Sequence, residues 1–90
     1  MTRIDVEDHH FDYPVLVQTS ASRIRVVSST REAAECLLYG WPAVGLNRKH
    51  LEARRACLAV LEGQKKALTA RRAFAAAAKE AGILIEHAGN

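Results

Sequence analysis

Aromatic residues are scarce in this chain, at 6% of 90 residues. A core must therefore be assembled from Ala, Leu, Val and Ile. Cysteine is nearly absent too. Cys36 and Cys57 form no Cys-x-x-Cys pair, and both fall among leucines on expected helices. That excludes a disulfide framework and reads as two reduced core thiols. No apolar run approaches the ~18 residues of a membrane span, and the charged start Met1-Thr2-Arg3-Ile4-Asp5 is no signal peptide. The expected location is the cytoplasm. Also missing are a Gly-rich phosphate loop, a Ser-His-Asp set and a paired-carboxylate motif. The sequence gives no basis for naming an enzyme, a metal site or a cofactor.

What is present is ordinary globular composition, 49% apolar and 26% charged, in a length that suits one domain. The net charge of +3 is unevenly spread. Residues 1–45 carry 4 basic and 6 acidic side chains, whereas residues 46–90 carry 9 and 4. The basic excess belongs to the C-terminal half, where it can attract anions or nucleic acid.

Residues 1–12 read as a flexible acidic arm, with Phe11 and Tyr13 docking its end on a domain of residues 13–86. The string Glu7-Asp8-His9-His10 invites a metal reading, but neighbouring ligands on a loose arm lack the fixed spacing a tight site needs. Pro14–Gln18 reads as a strand with proline at its opening. Thr19–Ser22 is a turn. Arg23–Ser28 is a second strand, with Ile24 and Val26 facing the core and Arg23 and Arg25 facing solvent. Such a hairpin must pack on helices or pair with another edge.

Ser29 and Glu32 fit a capping box for a helix over residues 30–39, each side chain satisfying an orphan amide. Gly40 suits a left-handed cap, and Pro42 forbids continuation. A second helix is expected over residues 48–62, N-capped by Asn47, stapled by Leu46 on Leu51 and stopped by Gly63. Its broad apolar arc holds Leu51, Ala53, Ala56, Cys57, Leu58, Val60 and Leu61. A third helix spans residues 67–81, ending at Gly82. Its small-residue face of Ala70, Phe74, Ala77, Ala78 and Ala81 permits close approach of a neighbour. Ile83-Leu84-Ile85 is either a short third strand or a dimer contact, and residues 87–90 fray. The fold class is α+β: an N-terminal antiparallel hairpin against three helices, with Trp41, Pro42, Phe74 and Cys57 as the structural hub.

Some basic residues stand out from this plan. Arg54 sits on the apolar arc between Leu51 and Leu58, and Arg71 sits between Leu68 and Phe74. An arginine there must snorkel or find a carboxylate, or the two line a shared anion pocket. Arg48 and Lys49 oppose the dipole at the start of the second helix, where an anion held at the Asn47 end would explain them. Candidate anion- or ligand-binding residues are thus Asn47, Arg48, Lys49, Arg54 and Arg71.

The order Pro14-Val15, Glu32-Ala33-Ala34 with Leu37-Leu38, Trp41-Pro42, Cys57-Leu58-Ala59, Gly63, Ala70-Arg71-Arg72-Ala73-Phe74 and Glu80-Ala81-Gly82 resembles a known family. It is the domain of unknown function 982, short bacterial proteins found mostly in rhizobia and their relatives. The resemblance covers about residues 11–86. It implies a small stand-alone protein and brings no established activity. Its matched arginine is Arg71, with Arg72 in a variable slot; Arg54, Arg48 and Lys49 are not motif positions. The expected function is a non-enzymatic binding or protein-interaction module, homodimeric through the hairpin edge, the small-residue helix face or Ile83-Leu84-Ile85. The alternative is nucleic-acid or anion binding by the basic second and third helices.

Overall fold

The computed structural model describes residues 9–42 and 46–85. Residues 1–8, 43–45 and 86–90 fall outside that description. With them go most of the expected acidic arm, the Ala43-Val44-Gly45 half of the turn after Trp41, and the expected frayed tail.

The order of elements is β1 (His10–Ser20), β2 (Arg23–Ser29), α1 (Thr30–Tyr39), α2 (Arg48–Leu61), α3 (Ala67–Glu80) and β3 (Leu84–Ile85). The architecture is α+β. The three strands form one antiparallel sheet in the order β2-β1-β3. The C-terminal tail is thus the third strand: Leu16 lies opposite Ile85, and Val17 opposite Leu84. The Gln18 amide extends the pairing to the Ile83 carbonyl at 2.8 Å. Packing places α3 on β1 and α1 on β2, while α2 packs on α1 and α3.

β1 begins four residues before Pro14, so residues 10–12 belong to the sheet rather than to an arm. Pro14 does not open the strand. It sits inside it, where the register with β2 shifts between His10 and Val15. A bulge is where a strand tolerates a residue with no N–H to donate. Phe11 packs against the core, but Tyr13 is exposed rather than docked on the core.

The second strand corrects the expected facing. Val15 pairs with Val27 and Val17 with Arg25, and this face meets the helices. Val15, Val17 and Val27 are buried, while Ile24 is 58% and Val26 53% exposed. The alternation is the reverse of that expected. A one-residue change of register moves every side chain to the other face. Two contacts fix the observed choice. Arg25 reaches the Glu35 carboxylate on α1 at 3.8 Å. Ser29, at the end of β2, must turn inward to cap α1.

The capping box forms with one difference. The Glu32 amide donates to Ser29 Oγ at 3.1 Å, but the Glu32 carboxylate accepts from the Ser28 amide at 2.7 Å, not from Ser29. Gly40 is not left-handed. Its φ is −132°, and its amide closes the helix on the Cys36 carbonyl. The glycines that do need positive φ are Gly63 after α2, at 83°, and Gly82 after α3, at 76°.

Asn47 caps α2 as expected, its Oδ1 accepting from the His50 amide at 3.2 Å. Leu46 and Leu51 are both exposed. The apolar arc of α2 divides in two. His50, Ala53, Cys57 and Val60 are buried, whereas Leu51, Leu58 and Leu61 are exposed. The α3 surface they meet is built from Ala70, Phe74, Ala77 and Ala78, all buried. Small residues on both sides allow a close seam, and a close seam has no room for leucine.

Candidate functional site

Just beyond α1, Trp41 packs against the core. Trp41 is half-buried and packs edge-on against Phe74 and at a tilt on His50, each with ring centroids 5.5 Å apart. His50 is buried, and its Nε2 lies 2.8 Å from the Leu37 carbonyl. A carbonyl only accepts, so the ring proton sits on Nε2 and donates to it. The end of α1 leaves its last carbonyls without helical partners, and His50 fills that need from α2. His50 is not among the residues expected at a site. The signal that could have found it is its spacing ahead of Ala53, Cys57 and Val60 on the buried stripe.

Neither cysteine is poised for nucleophilic chemistry. Cys57 is 1% exposed, and burial pushes its thiol up to about 12. Burial also raises Cys36, a rise partly offset by the nearby Arg25 charge. The thiolate is the reactive form, and both sites disfavour it. Among the described residues, no three His, Cys, Asp or Glu side chains converge as a metal site would require. His9, His10 and Asp12 lie in or beside β1, while Glu7 and Asp8 fall outside the described residues.

The candidate arginines do not meet. Arg71 donates from Nε to the Tyr13 carbonyl at 2.8 Å and from Nη2 to the Pro14 carbonyl at 3.3 Å. It clamps the irregular part of β1 onto α3. It lines a cleft of ≈ 870 Å³ between the start of β1 and the start of α3, together with Lys66, Leu68 and Tyr13. Arg54 lines a different cleft, between α1 and α2. Arg48 and Lys49 are exposed at the first turn of α2, beside an N-terminus that Asn47 already caps.

Two apolar surfaces are built largely from residues whose pattern suits a core. One is the helix-free face of the sheet. Leu16 pairs with Val26 and with Ile85, and Gln18 pairs with Ile24, so these side chains share that face. Leu16, Val26 and Ile85 form a line across all three strands, with Ile24 alongside. The other is the α1–α2 cleft of ≈ 410 Å³, walled by Leu38, Leu51, Leu58 and Leu61 with Arg54 and Arg55.

The family model described as "Protein of unknown function (DUF982)" matches residues 13–85. No curated protein matches the chain. Among solved structures, the chain is similar to the Agrobacterium tumefaciens protein Atu1219, determined by NMR. The two are 34% identical with a TM-score of 0.75, over 92% of this chain and 82% of that one.

Proposed function

This chain belongs to the DUF982 family of proteins of unknown function, and from that premise we propose that it is a non-enzymatic interaction module that pairs with a second copy of itself. The helix-free face of the sheet carries the proposal. An antiparallel sheet with one solvated face ordinarily presents polar residues there. Here Ile24 and Val26 are 58% and 53% exposed, in line with Leu16 and Ile85. A contiguous apolar patch of this kind marks a contact surface.

A second copy is the occupant that fits. Among its described residues the patch holds Gln18 but no charged side chain, so two copies can meet across it without opposing like charges. β2 also lies at the edge of the sheet, with one side unpaired by another strand among the described residues. An exposed edge favours pairing with another chain. The face and the edge are continuous, so one two-fold contact can cover both.

Light scattering over a concentration series tests the reading. The wild-type chain is expected at twice its 9.9 kDa mass, and Val26→Glu at the monomer mass with its circular dichroism unchanged. A wild-type protein that stays monomeric throughout refutes the proposal.

A further inference from the structure

The cleft between α1 and α2 lies apart from the sheet face, and it joins an apolar wall to unpaired positive charge. Leu38 and Leu58 are more than half exposed, and Leu51 and Leu61 more than a third. Leu58 follows Leu51 by two helical turns, and Arg54 and Arg55 stand between them. Both arginines line the cleft and are exposed, with no ion pair or hydrogen bond to another described residue. Among the described residues, no Asp or Glu lines it. Glu35, the exposed acid in the middle of α1, is already shared by Arg25 at 3.8 Å and Arg31 at 3.7 Å.

Shape and charge together select an occupant. Two packed helices wall the cleft, and the backbone groups within a helix are paired internally. An extended segment laid there would find no row of N–H and C=O groups to pair with, as it would at a sheet edge. A helix brings its own backbone bonds and needs only a seat for its side chains. Leu51 to Leu61 spans ~15 Å along α2, which matches about three turns of a partner helix with anchors at three- and four-residue spacing. The two guanidinium groups call for carboxylates beside those anchors. A second copy suits the cleft poorly. A two-fold contact along α2 sets the middle of the stripe, Arg54 and Arg55, against its own mate, and like charges there oppose pairing.

We propose that the α1–α2 cleft is the docking groove for an acidic amphipathic helix of a partner protein. Leu38, Leu51, Leu58 and Leu61 take its apolar stripe, and Arg54 and Arg55 take its carboxylates. The groove lies on the helices, whereas the pairing of two copies uses the helix-free face of the sheet. The two contacts are compatible, and neither rests on the other.

The probe is a synthetic peptide of ~16 residues, with leucines along one stripe at three- and four-residue spacing and glutamates flanking them. Titrated into the full carbon-13-labelled chain, it should shift the methyl signals of Leu38, Leu51, Leu58 and Leu61 and leave those of Leu16, Ile24, Val26 and Ile85 in place. Arg54→Glu with Arg55→Glu should weaken binding ~10-fold or more, and should turn the preference to the same peptide with lysine for glutamate. Leu58→Ala should also weaken the acidic peptide, with the circular dichroism of the free protein unchanged. Affinity for the wild-type chain should fall as salt rises toward ~1 M, where screening reaches ~3 Å. Acidic and lysine peptides that bind the wild-type chain alike would make the cleft a merely apolar surface and overturn the proposal. So would an acidic peptide that leaves the four leucines unshifted. Vesicles of anionic lipid that shift the same methyl groups in the peptide's place would assign the cleft to a membrane, and the proposal would fall. The mass by light scattering is read without peptide, so a failure here and a failure of the pairing are told apart.

Discussion

His50 ties two helices together with one ring. Its Nε2–H donates a hydrogen bond to the Leu37 carbonyl, and the ring lies against Trp41. His50→Phe keeps a ring of similar size and removes the donor. The buried carbonyl then lacks its partner, and the expected loss is ~1–3 kcal/mol by urea unfolding. A loss below ~0.5 kcal/mol would mean that the hydrogen bond does not hold the end of α1. Cys57 gives a pH signature. Its folded value of about 12 stands above the ordinary 9.0, because burial penalises the thiolate. The stability this gives is complete below pH 9 and is lost as pH climbs from 9 toward 12, where the unfolded chain ionises first. The slope is ~1.4 kcal/mol per pH unit for each such thiol. Cys36 is raised too and adds in the same direction. Alkaline melts of Cys57→Ala should therefore fall less steeply across that window than wild type, though from a lower starting stability.

At the scale of elements, the glycines that end the helices differ in kind. Gly82 holds φ at 76°, and a Cβ added there would meet nothing within 4 Å, so only backbone strain opposes a side chain. Gly82→Ala should cost ~1 kcal/mol. Gly40 has negative φ, and a Cβ would meet the Cys36 carbonyl oxygen at 3.6 Å and Arg25 Nη1 at 3.8 Å, ordinary contacts. Gly40→Ala should be within ~0.5 kcal/mol of wild type. Thermal melts of the two variants check the contrast. The sequence suggests the reverse for Gly40, because a glycine after a periodic run followed by Pro42 looks the same whichever φ it takes. Arg71 acts across elements. Arg71→Met should speed hydrogen exchange at the start of β1, where the Tyr13 and Pro14 carbonyls lose their donor.

For the molecule as a whole, what is legible in the sequence follows from where each signal arises. The helices are legible because caps and stops are local: Ser29, Asn47, Gly63 and Gly82 announce their ends within a few residues. The third strand is legible as an apolar tail. The facing of β2 is not, because Val26 and Val27 are adjacent and either parity buries a valine. Contacts with α1, distant in the chain, make the choice. The division of α2 is hidden for a similar reason. A broad apolar arc does not reveal which part a neighbour covers until the alanines of α3 are seen to demand small partners. Both differences have one consequence, which is that apolar side chains expected in the core lie on the surface. The interaction reading stands on that surface.

The most direct test is isotope-filtered NMR on a mixture of carbon-13-labelled and unlabelled chains. Pairing through the sheet predicts contacts between copies at the methyl groups of Leu16, Ile24, Val26 and Ile85. Intermolecular contacts absent from that face, or confined to Leu38, Leu51 and Leu58, would contradict it.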